Sequence, residues 1–466
     1  MVIKMFELDK LKEECGVFGV WGPKDSSRLG YLGLYALQHR GQEAAGMVSL
    51  DKPGGKLKLR KGLGLVADVF TEKKLDELGG MAVIGHVRYS TTGDANLSNA
   101  QPLMARIPTG DMSLCHNGNL TNAKSLRSEL LKSGAIFQGT SDTEVFLHLM
   151  ARSAKPDLKS ALITALKQVQ GAFSLLIVGS DGIIAVRDPL GFRPLWCGSI
   201  KADGKTHYVF ASETCAFDLI EAKIEFEVEP GELVEISESG IKRERWSESS
   251  GSKQCVFELI YFSRPDSRVF GQSVYEARKR MGAMLAKEAP VEADVVVPVP
   301  DSGVAAAIGY SIESGLQFEM GIIRNHYVGR TFIQPYQTLR SFGVRVKLNP
   351  QESVLKGKRV ILLDDSIVRG TTSQKVVQLV KSAGAKEVHL RISSPPTTGP
   401  CYYGVDTPSR QELIASKKSS DEIAKYIGAD SLAYLSIEGM LSAVGGSKQT
   451  YCAACFDGDY PTPIEG

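Results

Sequence analysis

The order of apolar and polar residues changes character half-way along the chain. In the first half, short apolar runs end at Gly, Asp, Ser or Asn: Gly16–Val20, Leu57–Leu59, Ala82–Val87, Ser113–His116, Phe173–Val178 and Gly182–Val186. Runs of this length bounded by turn-forming residues predict strands. Between them, Leu29–Leu37, Asn122–Lys132 and Thr140–Ala151 carry apolar residues at three- and four-residue steps, which predicts helices with one buried face. The last opens on Thr140-Ser141-Asp142-Thr143-Glu144, a capping sequence. Lys242–Gln254 is nearly devoid of apolar residues and is expected to be the connection between two units. Beyond it, Ala293–Pro300, Met320–Ile323, Arg359–Leu363 and Glu387–Ile392 are almost continuous apolar runs, separated by helical segments Tyr275–Ala289, Ser302–Ser314 and Ser373–Ala383. Strand–helix alternation with strands apolar on both faces predicts a parallel sheet. Ligands of such sheets sit at the carboxyl ends of the strands.

Composition narrows the function classes. The 466 residues hold 55 Lys+Arg against 53 Asp+Glu, so no basic excess points to nucleic acid. No run of 18 apolar residues exists to span a membrane. Eight cysteines are too few for a disulfide scaffold, so a reducing, cytoplasmic setting is expected. Clustered cysteines then read as metal ligands or nucleophiles.

The string Val360-Ile361-Leu362-Leu363-Asp364-Asp365-Ser366-Ile367-Val368-Arg369-Gly370-Thr371-Thr372-Ser373 takes a buried strand into two acids, a short polar loop and a helix start. Free N–H groups and hydroxyls at a helix N-terminus favour a phosphate. Gly370 lets the backbone approach it closely. The two carboxylates suit sugar hydroxyls or Mg²⁺. A lone Asp-Asp would suit an ordinary strand-to-helix turn. The whole string resembles the phosphoribosyl-diphosphate (PRPP) motif of type I phosphoribosyltransferases. No G-x-x-x-x-G-K-[ST] phosphate loop is present. Asp301-Ser302-Gly303 after its strand suits pyrophosphate and a metal, and Arg330–Pro335 suits a closing flap. Each also reads as a structural loop.

Near the start, Cys15 stands between a charged leader and an apolar strand. Cleavage after Glu14 would give Cys15 an α-amine with a pKa of about 7.7–8.0, able to act as base for its own thiol. A buried structural Cys is the competing reading. The Asn117 amide and the Gly118 N–H form a candidate donor pair for an oxyanion. Arg88 suits an α-carboxylate and Asp142 an α-ammonium. Together these describe hydrolysis of an amino-acid side-chain amide. For glutamine, the product is ammonia.

The assembled strings "ECGVFGV", "LQHRGQE", "GHVRYSTTG", "HNGNL", "SDTEV", "RDPLGFRPL", "SETCAFD", "EPGE", "IYFSRPDS", "VGRTFIQP" and "LLDDSIVRGTTS" resemble the glutamine phosphoribosylpyrophosphate amidotransferase (amidophosphoribosyltransferase) family, from Glu13 to about Pro463. The resemblance implies a propeptide (1–14), an N-terminal-nucleophile (Ntn) αββα glutaminase (15–245) and a type I phosphoribosyltransferase (246–466). It implies synthesis of 5-phosphoribosylamine, glutamate and pyrophosphate, the first committed step of purine synthesis. Cys15 maps as nucleophile, Arg88 and Asp142 as glutamine anchors, and Asn117 and Gly118 as oxyanion hole. Ser302, Asp364 and Asp365 map to Mg²⁺. Asp364, Asp365, Ser366, Arg369, Gly370, Thr371 and Thr372 map to PRPP. Homotetramers inhibited by purine nucleotides are also implied. The family usually has Lys-Asn-Arg-Tyr where this chain has Arg324-Asn325-His326-Tyr327, which changes the grip on inhibitors or pyrophosphate.

Cys452-Ala453-Ala454-Cys455 is a C-x-x-C, and spacing leaves Cys115, Cys197, Cys215, Cys255 and Cys401 open as further ligands. The resemblance selects Cys255 and Cys401, matching the iron–sulfur subgroup with a cleaved propeptide. A [4Fe–4S] cluster on Cys255, Cys401, Cys452 and Cys455 is expected, with zinc as the alternative. Cys115, Cys197 and Cys215 are assigned to packing. Two rival functions stay open: another class II amidotransferase, and a PRPP- or oxygen-sensing regulatory protein on the same fold. The PRPP-like string argues against the first, and the complete nucleophile set against the second.

Overall fold

A computed structural model of the chain describes residues 15–89, 96–248, 251–325 and 347–465. Its first strand, β1 (Gly16–Trp21), is buried on both faces. The two-residue period of a strand sends Val17 and Trp21 to one apolar cluster, and Phe18 and Val20 to another. The strands that follow are β2 (Ala44–Leu50), β3 (Leu57–Leu63), β4 (Ala82–Arg88), β5 (Leu103–Ile107), β6 (Gly110–Leu120), β7 (Gly171–Val178), β8 (Gly182–Arg187), β9 (Trp196–Ala202), β10 (Lys205–Ala211), β11 (Lys223–Glu227), β12 (Glu232–Ser237) and β13 (Gly240–Arg245). They form two antiparallel sheets, β11-β9-β10-β1-β4-β2-β3 and β13-β12-β8-β7-β6-β5.

Between the sheets lies the cluster of Val17, Trp21, Val48, Ile84, Cys115, Leu176, Phe210 and Val234. Helix Ser26–Ala36 covers the outside of the first sheet, so closely that a Cβ on Gly33 would lie 2.3 Å from the Phe18 ring. Helices Glu144–Ala151 and Leu158–Leu166 cover the second. These are the four layers, αββα, expected from the resemblance.

In the second half, Val295–Pro298, Arg359–Asp364, Glu387–Ile392 and Ser431–Tyr434 make a parallel sheet in that order. Alternate residues again serve opposite cores. Ile361 and Leu363 meet helices Val274–Glu288 and Val304–Ser314, whereas Val360 and Leu362 meet helices Thr371–Ser382 and Ser420–Ile427.

Two local expectations change, and one strand of the parallel sheet went unpredicted. The run Met320–Ile323 yields a strand, Ile322–Arg324, that pairs antiparallel with Leu348–Pro350 instead of joining the parallel sheet. The polar stretch after Ile241 is strand as far as Arg245, because β13 is an edge strand paired only with β12 and its exposed face takes charged residues. The fourth parallel strand, Ser431–Tyr434, is too short to stand out as an apolar run.

Candidate active sites and a four-cysteine cavity

Cys15 directly precedes β1, whose register sets Gly16 opposite Val87 and so brings Cys15 to the end of β4 where Arg88 lies. Both residues are buried, and the Cys15 thiol is 3.5 Å from the Tyr89 carbonyl oxygen. Strand β6 of the facing sheet brings Asn117 to the same end. Asn117 is fully buried, with its amide 3.5 Å from Ser212 Oγ, which in turn accepts the Val17 N–H at 3.0 Å.

Asn117-Gly118 is an interior segment of β6 rather than a turn. Gly118 has φ +145°, and a Cβ there would lie 2.1 Å from the Ala172 carbonyl oxygen, so the strand admits only glycine at this position.

Asp142 is not a helix cap. The helix begins at Glu144, and the Asp142 carboxylate instead accepts the Leu120 N–H at 2.9 Å, three residues along β6 from Asn117. His116 Nδ1 lies 3.7 Å from the same carboxylate and 3.1 Å from the Thr143 hydroxyl. His86, fully buried against the His116 carbonyl, has its pKa pushed down to about 3 by burial and stays neutral.

A buried ion network underlies Cys15. The Arg40 Nε–H donates to the Cys15 carbonyl at 3.2 Å. Its other nitrogens donate to Glu213 at 2.6 Å and to Glu258 at 2.9 and 2.7 Å. His39 and the Ser267 hydroxyl also reach Glu213, each at 2.7 Å. Burial alone would raise both carboxyl pKa values. The charge of His39 and Arg40 beside Glu213, and of Arg40 and Arg193 beside Glu258, outweighs it and holds both below the usual range. Sequence reasoning missed this network, although Arg40 and Glu213 lie inside the quoted strings "LQHRGQE" and "SETCAFD".

At the other centre, strand Arg359–Asp364 ends in the expected loop, and Gly370 at φ +80° starts helix Thr371–Ser382. Ser302 Oγ stands 3.5 Å from Asp364 Oδ1, so oxygen donors from two strand ends converge there. Asp365 differs: it is almost fully buried, it accepts the Ser366 hydroxyl at 2.6 Å, and it faces the charge of Arg278. Arg369 reaches Glu412 at 2.8 Å. Thr372 is buried at the start of the helix, one residue after Thr371. Arg324 pairs with Asp301 at 2.6 Å, beside Ser302. The flap Arg330–Pro335, His326 and the leader Met1–Glu14 lie outside the described residues.

Cys255, Cys401, Cys452 and Cys455 line one cavity, with Phe192, Phe257, Tyr403 and Tyr460 among its other walls. Parallel pairing sets Cys255 beside Cys452. Burial pushes the Cys452 thiol up to about 12, and burial together with its three neighbours pushes Cys455 well above the usual thiol value. The Tyr403 N–H already points at Cys401 Sγ, 3.3 Å away. Four convergent soft donors in an apolar cavity fit an iron–sulfur group. Thiols this hard to ionise are poor free acids, and a bound metal displaces their protons. Among the described residues no three His, Cys, Asp or Glu side chains gather as a site for a single metal ion. Cys115, Cys197 and Cys215 lie in the apolar clusters of the first half, their thiols pushed up by burial.

The two halves meet on β6. Asn119 Nδ2 donates to the Tyr402 carbonyl at 2.9 Å, and Arg193 donates twice to the Tyr403 carbonyl, at 2.9 and 2.7 Å. A Cβ on Gly404 would come within 3.0 Å of the Gly118 backbone. The loop after Cys401 therefore lies directly over the candidate oxyanion donors.

Comparison with known proteins agrees with this division. A glutamine amidotransferase domain family matches residues 86–218, and a phosphoribosyl transferase domain family matches residues 272–403. Amidophosphoribosyltransferase 1, chloroplastic, of Arabidopsis thaliana is 54% identical over 97% of this chain and 79% of its own length. The Bacillus subtilis amidophosphoribosyltransferase is 50% identical over 98% of this chain and 96% of its own. A solved structure of glutamine PRPP amidotransferase from B. subtilis complexed with ADP and GMP superposes with a TM-score of 0.91, at 50% identity, over 97% of this chain and 98% of that one.

Proposed function

The chain belongs to the amidophosphoribosyltransferase family, and from that membership and the two sites we infer that it makes 5-phosphoribosylamine from PRPP, glutamine and water, releasing glutamate and pyrophosphate. This is the entry step of purine synthesis. Cys15, freed by loss of residues 1–14, attacks the glutamine side-chain amide with its own α-amine as base. The Asn117 amide and the Gly118 N–H stabilise the oxyanion, while Arg88 and Asp142 hold the α-carboxylate and α-ammonium. We place the glutaminase at 15–245 and the phosphoribosyltransferase at 246–466.

In the second site, Ser366, Arg369, Gly370, Thr371 and Thr372 grip the ribose phosphate at the helix start, with Asp364 and Asp365 toward the sugar. Ser302, Asp364 and Asp365 would hold Mg²⁺, whose charge offsets that of the departing pyrophosphate. Cys255, Cys401, Cys452 and Cys455 would hold a [4Fe–4S] cluster that ties the loop at Tyr402–Gly404 to the C-terminus and makes the fold responsive to oxygen. Zinc, which four cysteine thiolates also suit, is the alternative. We expect a homotetramer inhibited by purine nucleotides, in keeping with the ADP and GMP of the B. subtilis complex. No described helix is long and apolar enough to cross a membrane, and we place the protein in the cytoplasm.

The observation that carries this reading is the seating of Gly404 and its neighbours on Gly118, because it sets ammonia free directly beneath the phosphoribosyl half. The test measures phosphoribosylamine from glutamine or from ammonia, with and without PRPP. Cys15→Ala should abolish the glutamine-dependent rate and spare the ammonia-dependent one. Equal loss of both, or synthesis independent of PRPP, refutes the two-site reading.

A further inference from the structure

Resting on the reading of Asn117 as an oxyanion donor, the geometry points to Ser212 as the residue that decides which end of the Asn117 amide faces the reacting carbonyl. Ser212 follows β10 directly and is fully buried. Its N–H donates to the Val17 carbonyl at 3.1 Å, and its Oγ accepts the Val17 N–H at 3.0 Å. This two-fold attachment to β1 fixes the hydroxyl two residues from Cys15. A serine hydroxyl can accept and donate together. Among the described residues, the group left to receive its hydrogen is the Asn117 side chain, 3.5 Å away.

Asn117 as placed turns its nitrogen toward Ser212 and leaves Oδ1 buried without a partner. Among the described residues two faults coincide: an acceptor without a donor, and a hydroxyl hydrogen without an acceptor. Turning the amide by half a revolution removes both, because the two ends are nearly alike in shape and are assigned by their hydrogen bonds. Oδ1 then takes the Ser212 hydrogen. Nδ2 faces the space where Oδ1 met no donor among the described residues and offers its N–H groups beside Gly118. A preset donor with no protein acceptor is what a developing oxyanion requires. Ser212 touches no substrate in this scheme; it is a positioning residue that acts through Asn117.

The test is a double-mutant cycle of Ser212→Ala and Asn117→Ala on the full chain. Ser212→Ala should lower kcat for glutamine hydrolysis roughly ten- to a hundredfold, less than the hundred- to thousandfold typical of losing an oxyanion donor outright, and should leave KM within about twofold. Added to Asn117→Ala it should cost nothing further. An equal factor in both backgrounds, or a parallel fall in ammonia-dependent synthesis, overturns the proposal. Normal glutamine hydrolysis by Asn117→Ala alone would instead remove the oxyanion assignment itself. A readout that needs no variant is the crystal structure of the Cys15 adduct with a diazo-ketone analogue of glutamine. The Asn117 end facing Ser212 Oγ should be the one remote from the adduct oxygen. An amide with both ends away from that oxygen refutes the scheme.

Discussion

Replacing Arg40 with Met keeps its volume and removes the cation shared by Glu213 and Glu258. All three side chains are 1% exposed or less, so water cannot take the place of the lost partner. Breaking a buried pair by removing one member costs about 3–5 kcal/mol, because the remaining charge is left unpaired. His39 still reaches Glu213 at 2.7 Å and Arg193 lies 3.6 Å from Glu258, which argues for the lower half of that range. Unfolding entropy for 466 residues, at roughly 2.1 cal/mol/K each, is about 1 kcal/mol/K. Tm should therefore fall by about 3–4 °C if both halves melt together, and by about twice that if the first half melts alone.

The pH dependence distinguishes this cause from simple loss of packing. In the wild type both carboxyls have folded pKa values below the unfolded ones. Their stabilisation is thus complete above about pH 4.3 and is lost as pH falls through the folded values. Without Arg40, burial dominates and pushes the carboxyls up, so mild acid neutralises them and relieves the fault. The gap in Tm between wild type and Arg40→Met, followed by scanning calorimetry, should be widest near pH 7.5 and shrink toward pH 5. Adding Glu213→Gln and Glu258→Gln should recover most of the loss. A gap below about 1 °C at pH 7.5, or one that stays constant down to pH 5, refutes the electrostatic account.

Intact-mass measurement of the purified, active protein should show loss of Met1–Glu14, and full activity in a chain that keeps its leader overturns the role of the α-amine as base. Cys455→Ser should remove the brown colour, the iron and the acid-labile sulfide expected of the purified protein, and lower its thermal stability; unchanged iron content excludes Cys455 as a ligand. Gly370→Ala should raise KM for PRPP and destabilise the fold by about 1–2 kcal/mol, since φ is +80° and the new Cβ would lie 3.1 Å from Ile414 Cδ1. Steady-state kinetics and denaturant unfolding check that pair, and unchanged values for both sink the argument from backbone conformation.

Where chemistry is carried by neighbouring residues, the sequence was readable. The strand, acids, glycine and hydroxyls of Asp364–Thr372 lie within nine positions, and one loop delivers them. The four layers of the first half were implied by the resemblance, and the split of Val17 from Phe18 shows how two-residue periodicity builds them. What stayed hidden depends on contacts far apart along the chain. Asp142 looked like a cap because caps are local, whereas its partner is Leu120 on another element. The same holds for Arg40 with Glu258, and for Arg193 with the Tyr403 carbonyl, each joining residues more than 200 positions apart. These are the contacts that hold the glutaminase against the phosphoribosyl half. Arg40 spreads its nitrogens over two carboxylates and the Cys15 carbonyl, and Arg193 sets Nε and Nη2 on the Tyr403 carbonyl, so that the joint is directional and not merely apolar. A seam built this way fixes orientation more tightly than a greasy one of equal area. That suits the reading proposed above, in which ammonia freed in one half is used in the other.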